Sequence, residues 1–185
     1  RYQTDFTVAS HWLLNEHRIE AAQAVIPGTG FVELARAAFI EAGHFALSHA
    51  NANAVELSQV TLLQPFQVPA RTQQRLQIDI QQQDNGSVVT MTSVGGHVVY
   101  MTAEVRRCSV VRDRVDLAII RDRCQQPVAT RDGFLDQDFV CFGPRWQNLV
   151  SIRQGAGEAV IDLELDPSFS DDLTTLAYHP ALLDM

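Results

Sequence analysis

Between Gly28 and Gly43 the chain sets Phe31, Leu34, Ala35, Ala38 and Ala42 at helical spacing, and the small residues on one side leave room for a sheet to close directly around that helix. Glu33, Arg36 and Glu41 fall on other faces, and Gly43 stands where a helix would stop. Such a helix is mostly buried, and the strands C-terminal to it supply the burying surface. After a polar stretch from Ser48 to Asn53 come four strand-like runs, Val55 to Leu63, Arg75 to Gln82, Val88 to Val94 and His97 to Arg107. Leu76, Ile78 and Ile80 alternate with Gln77, Asp79 and Gln81, as in a strand with one face in a core. Asp84-Asn85-Gly86 is turn chemistry linking two of these strands. One central helix followed by antiparallel strands is an α+β plan.

At 185 residues and 46% hydrophobic composition the chain can bury one substantial core or two small ones. The stretch 106–131 is charge-rich, contains Pro127 and has only a short apolar island, Leu117 to Ile120, so it reads as a connection. A second unit is expected from Asp132, with a helix into Phe139, a tight loop at Phe142-Gly143-Pro144, a strand around Leu149 to Arg153 and an alternating strand from Ala159 to Leu165. The expected organisation is therefore an N-terminal unit over 1–108, a linker over 109–131 and a second unit over 132–185.

Charge and composition narrow the classes of function. Fourteen basic residues, all arginine, against 22 acidic ones give a net charge of −8, which argues against a nucleic-acid surface. No apolar run approaches the roughly 20 residues of a membrane helix. Cys108, Cys124 and Cys141 are odd in number and lack metal spacing, so they are expected as free thiols in a reducing cytoplasm. His11, His44, His49 and His97 have no partners at metal-ligand spacing, so no metal is expected. With no initiator Met and no signal peptide, the chain reads as a piece of a larger polypeptide.

Three segments carry a resemblance. His11-Trp12-Leu13-Leu14-Asn15-Glu16-His17-Arg18-Ile19, followed by Val25-Ile26-Pro27-Gly28-Thr29-Gly30-Phe31, is similar to the first active-site motif of polyketide synthase dehydratase domains. Phe142-Gly143-Pro144-Arg145-Trp146-Gln147 resembles their Tyr-Gly-Pro motif, and His179-Pro180-Ala181-Leu182-Leu183-Asp184 their aspartate motif. The resemblance implies a hot-dog fold, here a double hot-dog whose second unit is incomplete. It also implies loss of water from a 3-hydroxyacyl thioester in polyketide biosynthesis. The substrate would ride on the phosphopantetheine arm of an acyl carrier protein, with no other cofactor. Neighbouring synthase domains would be partners, a homodimer is possible, and neither nucleic acid nor membrane is expected.

In that reading His17 is the base that takes the α-proton, since a neutral imidazole can accept one directly; the plainer alternative is a structural histidine at a strand end. Asp184 is the acid that protonates the leaving hydroxyl, which needs an apolar setting such as Leu182, Leu183 and Met185, or else it caps a helix. Pro27 and Gly28 open the long helix, where free N–H groups favour developing negative charge. The Gly28 N–H is the expected thioester oxyanion donor, with a simple turn and cap as the alternative. Phe142, Gly143, Pro144 and His179 complete the expected substrate-binding set, His179 either lining the pocket or orienting Asp184. Trp146 is expected as core packing, and carrier docking through an arginine patch involving Arg145 or Arg153.

The chain departs from the family in three places. Alanine replaces the glycine of the first motif, Pro27 stands one position late, and Phe142 replaces tyrosine, removing a hydroxyl. A one-residue insertion in a strand turns side chains to the opposite face unless a bulge absorbs it, so His17 could point away from Asp184. Related readings are an isomerase that moves a double bond, a pyran synthase that closes an oxygen ring, and a non-catalytic double hot-dog module.

Overall fold

The structure is a computed structural model that describes residues 1–19, 23–44, 54–108, 115–130 and 139–184. Strand β1 (Tyr2–Thr7), the short helical turn α1 (Trp12–Asn15), β2 (His17–Ile19) and β3 (Gln23–Val25) lead into helix α2 (Gly28–Phe39). Strands β4 (Ala54–Leu62), β5 (Gln67–Pro69), β6 (Gln73–Gln83), β7 (Gly86–Ser93) and β8 (Val99–Cys108) follow. Then come α3 (Leu117–Arg123), β9 (Gln126–Thr130), β10 (Val140–Phe142), β11 (Leu149–Gln154), β12 (Ala159–Leu163), α4 (Asp172–Thr175) and α5 (Pro180–Leu183).

The main sheet is antiparallel with strand order β1-β6-β7-β8-β4, and α2 packs across its inner face. Phe31, Ala35, Ala38 and Phe39 of α2 share one core with Leu76, Ile78, Val89, Met91, Met101 and Val105. Ala35 is completely buried, so the sheet approaches the helix as closely as a methyl group permits. Regular helix ends at Phe39; a wider turn runs from Ile40 to His44, with Gly43 at φ 74°, a conformation that favours glycine. The hairpin β6–β7 closes through Asp84-Asn85 with Gln83 opposite Gly86, as the turn chemistry predicts.

The alternation in β6 holds on the inner face and breaks at one outer position. Gln77 is buried because β1 lies alongside, where Gln3 and Asp79 exchange hydrogen bonds with its amide. In β4 the register shifts between Ser58 and Thr61, with Gln59 in a left-handed conformation at φ 50°. This bulge re-aims the end of the strand.

Two smaller sheets complete the described chain, β10-β2-β3-β5 and β12-β11-β9. The second corrects the expected linker. Gln126–Thr130 is an edge strand on β11, and Pro127 is tolerated there because an edge needs no donor on its open side. The helix expected between Asp132 and Phe139 lies outside the described residues except for Phe139, and Val140–Phe142 is a strand. Among the described residues no helix is long and apolar enough to cross a membrane.

Close packing of the sheet on α2 makes a size test. Ala35→Leu is expected to lower unfolding stability by about 1–3 kcal/mol, because the added atoms have no space to enter. Ala37→Leu, on the exposed side of the same helix, should change it by less than about 0.5 kcal/mol. Urea melts of both variants check the difference.

Candidate active site

Strand β2 presents His17 between two neighbours. It pairs with β3 through Arg18 and Ala24 on one side, and His17 itself lies opposite Phe142 of β10 on the other. The imidazole Nδ1 is 2.9 Å from the Val25 carbonyl oxygen. A carbonyl only accepts, so Nδ1 carries a proton, and in the neutral tautomer the lone pair is on Nε2. Nε2 faces Asp184 at the C-terminal end of α5, 3.7 Å from Oδ2, and both side chains are only slightly exposed. This distance is too long for a direct hydrogen bond and leaves both groups open to a third molecule.

Glu20 to Ala22, at the site of the expected insertion, lie outside the described residues. The flanking strands still pair, with Ile19 opposite Gln23, and His17 is directed toward Asp184 rather than away from it.

Asp184 is fixed from two directions. Trp146 Nε1–H donates to Oδ2 at 3.0 Å, and the Thr29 hydroxyl, in the first turn of α2, donates to Oδ1 at 3.4 Å. Trp146 is completely buried, as core packing predicts, yet its indole N–H reaches the candidate acid, a contact the sequence does not reveal. The pair borders a cavity of about 370 Å³ lined with Val25, Pro27, Gly28, Phe31 and Leu62. At Gly28 a Cβ would lie 2.6 Å from Leu62 Cδ1, so a larger residue there would make this exposed leucine side chain shift. Gly30 N–H and Phe31 N–H turn back to the Pro27 carbonyl. The Gly28 and Thr29 N–H groups lie too early in the helix for an intrahelical acceptor.

The other expected binding residues stand behind this cavity. Phe142 touches it only through the His17 ring, 5.7 Å between centroids. Gly143 and Pro144 form the turn beneath Glu16, and a Cβ on Gly143 would overlap the Glu16 side chain. His179 is buried and stacked on Trp12 at 5.5 Å and 18°.

Behind the pair lies a charged cluster. Arg145 donates through its guanidinium to Glu16 at 2.5 Å and to Asp172 at 2.6 Å, and its backbone N–H donates to Glu16 Oε2 at 2.9 Å. The guanidinium lies between the Trp12 and Phe169 rings, 4.5 and 4.1 Å from their centroids. Burial works against its charge, but the Asp172 and Glu16 carboxylates outweigh that and raise its pKa. Arg145 is thus no docking cation. His179 Nε2 is 3.5 Å from Asp172 Oδ2, and neither ring nitrogen has a hydrogen-bond partner. Burial pushes its pKa below the usual imidazole range, with Asp172 opposing in part.

Residues 1–93 match the family described as polyketide synthase dehydratase domain, and residues 112–185 match polyketide synthase dehydratase N-terminal domain. The chain belongs to the polyketide synthase dehydratase family. Two curated relatives are the mycoketide-CoA synthase of Mycobacterium tuberculosis and the polyketide synthase GfsB of Streptomyces halstedii. The first is 26% identical over 180 residues, covering 94% of this chain and 4% of the synthase. The second is 25% identical over 193 residues, covering 96% and 3%. The chain therefore spans a small fraction of these multidomain relatives.

Among solved structures, the dehydratase domain from the CurF module of curacin polyketide synthase superposes with a TM-score of 0.82 at 20% identity, over 99% of this chain and 66% of that one. A trans-AT synthase dehydratase domain from Brevibacillus brevis gives 0.84 at 19% identity, over 99% and 69%. These likenesses establish the hot-dog architecture of the dehydratase, and the coverage agrees with a second unit present in part.

A lowered His179 pKa gives a testable sign. The unfolded chain takes up a proton near pH 6.5 that the folded dehydratase resists, so His179 removes stability as pH falls through about 6.5. His179→Phe keeps a ring against Trp12 and removes the titration. Its melting temperature should fall less than the parent's between about pH 7 and about pH 5.5.

Proposed function

We propose that the chain dehydrates a 3-hydroxyacyl thioester carried on an acyl carrier protein, giving an α,β-unsaturated thioester in polyketide biosynthesis. The observation that carries this reading is the approach of His17 Nε2 to Asp184 across a cavity bordered by Gly28. In the neutral ring the Nδ1 contact to Val25 leaves the lone pair on Nε2, which takes the α-proton. The C–H electron pair forms the double bond, the bond from the β-carbon to the hydroxyl breaks, and protonated Asp184 gives its proton to the departing oxygen, releasing water. The Gly28 N–H at the head of α2 is suited to the thioester oxygen as charge builds there. The pair then resets when the released water relays the proton from Nε2 to the Asp184 carboxylate, because their 3.7 Å separation is too long for direct transfer.

The reading as a non-catalytic module drew on the insertion between His17 and Pro27, and the approach of His17 Nε2 to Asp184 supports the catalytic reading over it. Double-bond migration and ring closure would use the same base and are separated from dehydration by product mass and structure. Mass spectrometry of a 3-hydroxyacyl carrier protein incubated with the natural polypeptide is the direct test. A loss of one water is expected for the parent. His17→Ala and Asp184→Asn should each lower the rate by about 100-fold or more, as removal of a general acid or base does. A parent that is folded and neither dehydrates a hydroxyacyl carrier nor hydrates an enoyl carrier would overturn the proposal.

The carrier's docking surface must also move from its expected place. Arg145 is held by Glu16 and Asp172, and Arg153 by Asp162 at 2.9 Å. Arg18 and Arg71 have no carboxylate partner among the described residues, and both border one largely apolar cavity of about 610 Å³. An acidic carrier fits cations that are not already neutralised. Arg71→Glu is expected to lower turnover of carrier-borne substrate by roughly tenfold while leaving a small soluble thioester unaffected. Equal effects on both substrates would exclude this surface.

A further inference from the structure

His17, Trp146 and Asp184 are carried by three separate pieces of backbone, and each piece bears a member of the charged cluster next to it or at its opposite end. Glu16 immediately precedes His17, and Arg145 immediately precedes Trp146. His179 caps the start of α5, whose end is Asp184. Arg145 contacts the first piece through Glu16 and reaches the third through Asp172, which faces His179. Asn148, almost fully buried, adds a neutral tie by donating to the Arg145 carbonyl at 2.9 Å and to the Ala181 carbonyl at 2.7 Å.

We propose that Arg145 is a positioning residue: its guanidinium sets the spacing between His17 and Asp184 by locking the β2 end, the Trp146 turn and the α5 start into one unit. Planar, forked donors are required, because a single point charge cannot satisfy two carboxylates and remain stacked between Trp12 and Phe169. The Arg145 side chain is mostly buried, as are those of Glu16 and Asp172, so solvent does little to weaken the pairs. Trp146 carries the effect onward, since its position follows from Arg145 and its N–H holds Asp184. The inference rests on the dehydratase reading for its catalytic consequence, but its geometric consequence stands apart from it.

Arg145→Met alone leaves two buried carboxylates without a cation and is expected to unfold this region. The informative variant is therefore Glu16→Gln, Arg145→Met and Asp172→Asn together, which removes the charges as a set and keeps the side chains close in volume. Two measurements are made on the complete natural polypeptide. In turnover of a hydroxyacyl carrier the folded triple variant is expected to lose on the order of 100-fold in kcat with KM within about twofold of the parent, the signature of misplaced reacting groups. In crystal structures the separation of His17 from Asp184 is expected to widen beyond 3.7 Å and the Trp146 hydrogen bond to lengthen. A triple variant that keeps the parent's kcat, or whose pair keeps its spacing, would overturn the assignment. If the parent is inactive but the spacing widens, the dehydratase reading fails and the positioning role stands.

Discussion

Every part of the site depends on how closely a sheet can wrap one helix. The α2 helix has no broad polar face to give to solvent, so it is stable only where the five-stranded sheet covers it. Alanine at position 35, completely buried, sets the approach distance. Once that distance is fixed, the two ends of the helix act as fixed points for the rest of the chain. The first turn offers Thr29 to Asp184. One turn later Glu33, buried and paired with Arg36, accepts the Tyr178 N–H at 3.1 Å, while the Tyr178 hydroxyl reaches the Val55 carbonyl. The segment that carries Asp184 is thus hung on the same helix that the sheet encloses.

The site itself shows how a modest set of contacts can orient a candidate base. Nothing charged is needed at Nδ1; a backbone oxygen at the end of β3 selects the tautomer. The neighbouring aromatic rings, Phe142 and Trp146, lie 5.7 and 5.6 Å from the imidazole and confine its rotation. Loss of the tyrosine hydroxyl at position 142 therefore leaves the ring contact in place.

Much of the fold was legible because its signals are local. The alternation in β6, the turn at Asp84-Asn85 and the apolar spacing of α2 each sit within a dozen or so residues, and all four expected strands occur within two residues of their expected limits. His17, Gly28 and Asp184, which the motifs single out, border one cavity. What escaped was set by contacts between distant parts of the chain. Glu16 meets Arg145 across 129 positions, and no pattern around either residue marks it. Trp146 looks like any core tryptophan until its indole N–H is seen against a carboxylate. The strand at Gln126–Thr130 has too little apolar alternation to register, because it is an edge and only its pairing with β11 defines it.

The tie between Thr29 and Asp184 closes a loop of 155 positions. Loops of that size are slow to close, and domains made on the ribosome assemble from their N-terminal end. Helix α2 and every strand of the large sheet are complete by Cys108, so this part can pack while the remainder is still being made. Asp184, the candidate acid, follows later, together with the segment that seats it on the finished helix. In a nascent chain His17 and the Gly28 N–H therefore stand in an open groove until the later segment seats Asp184 against Thr29.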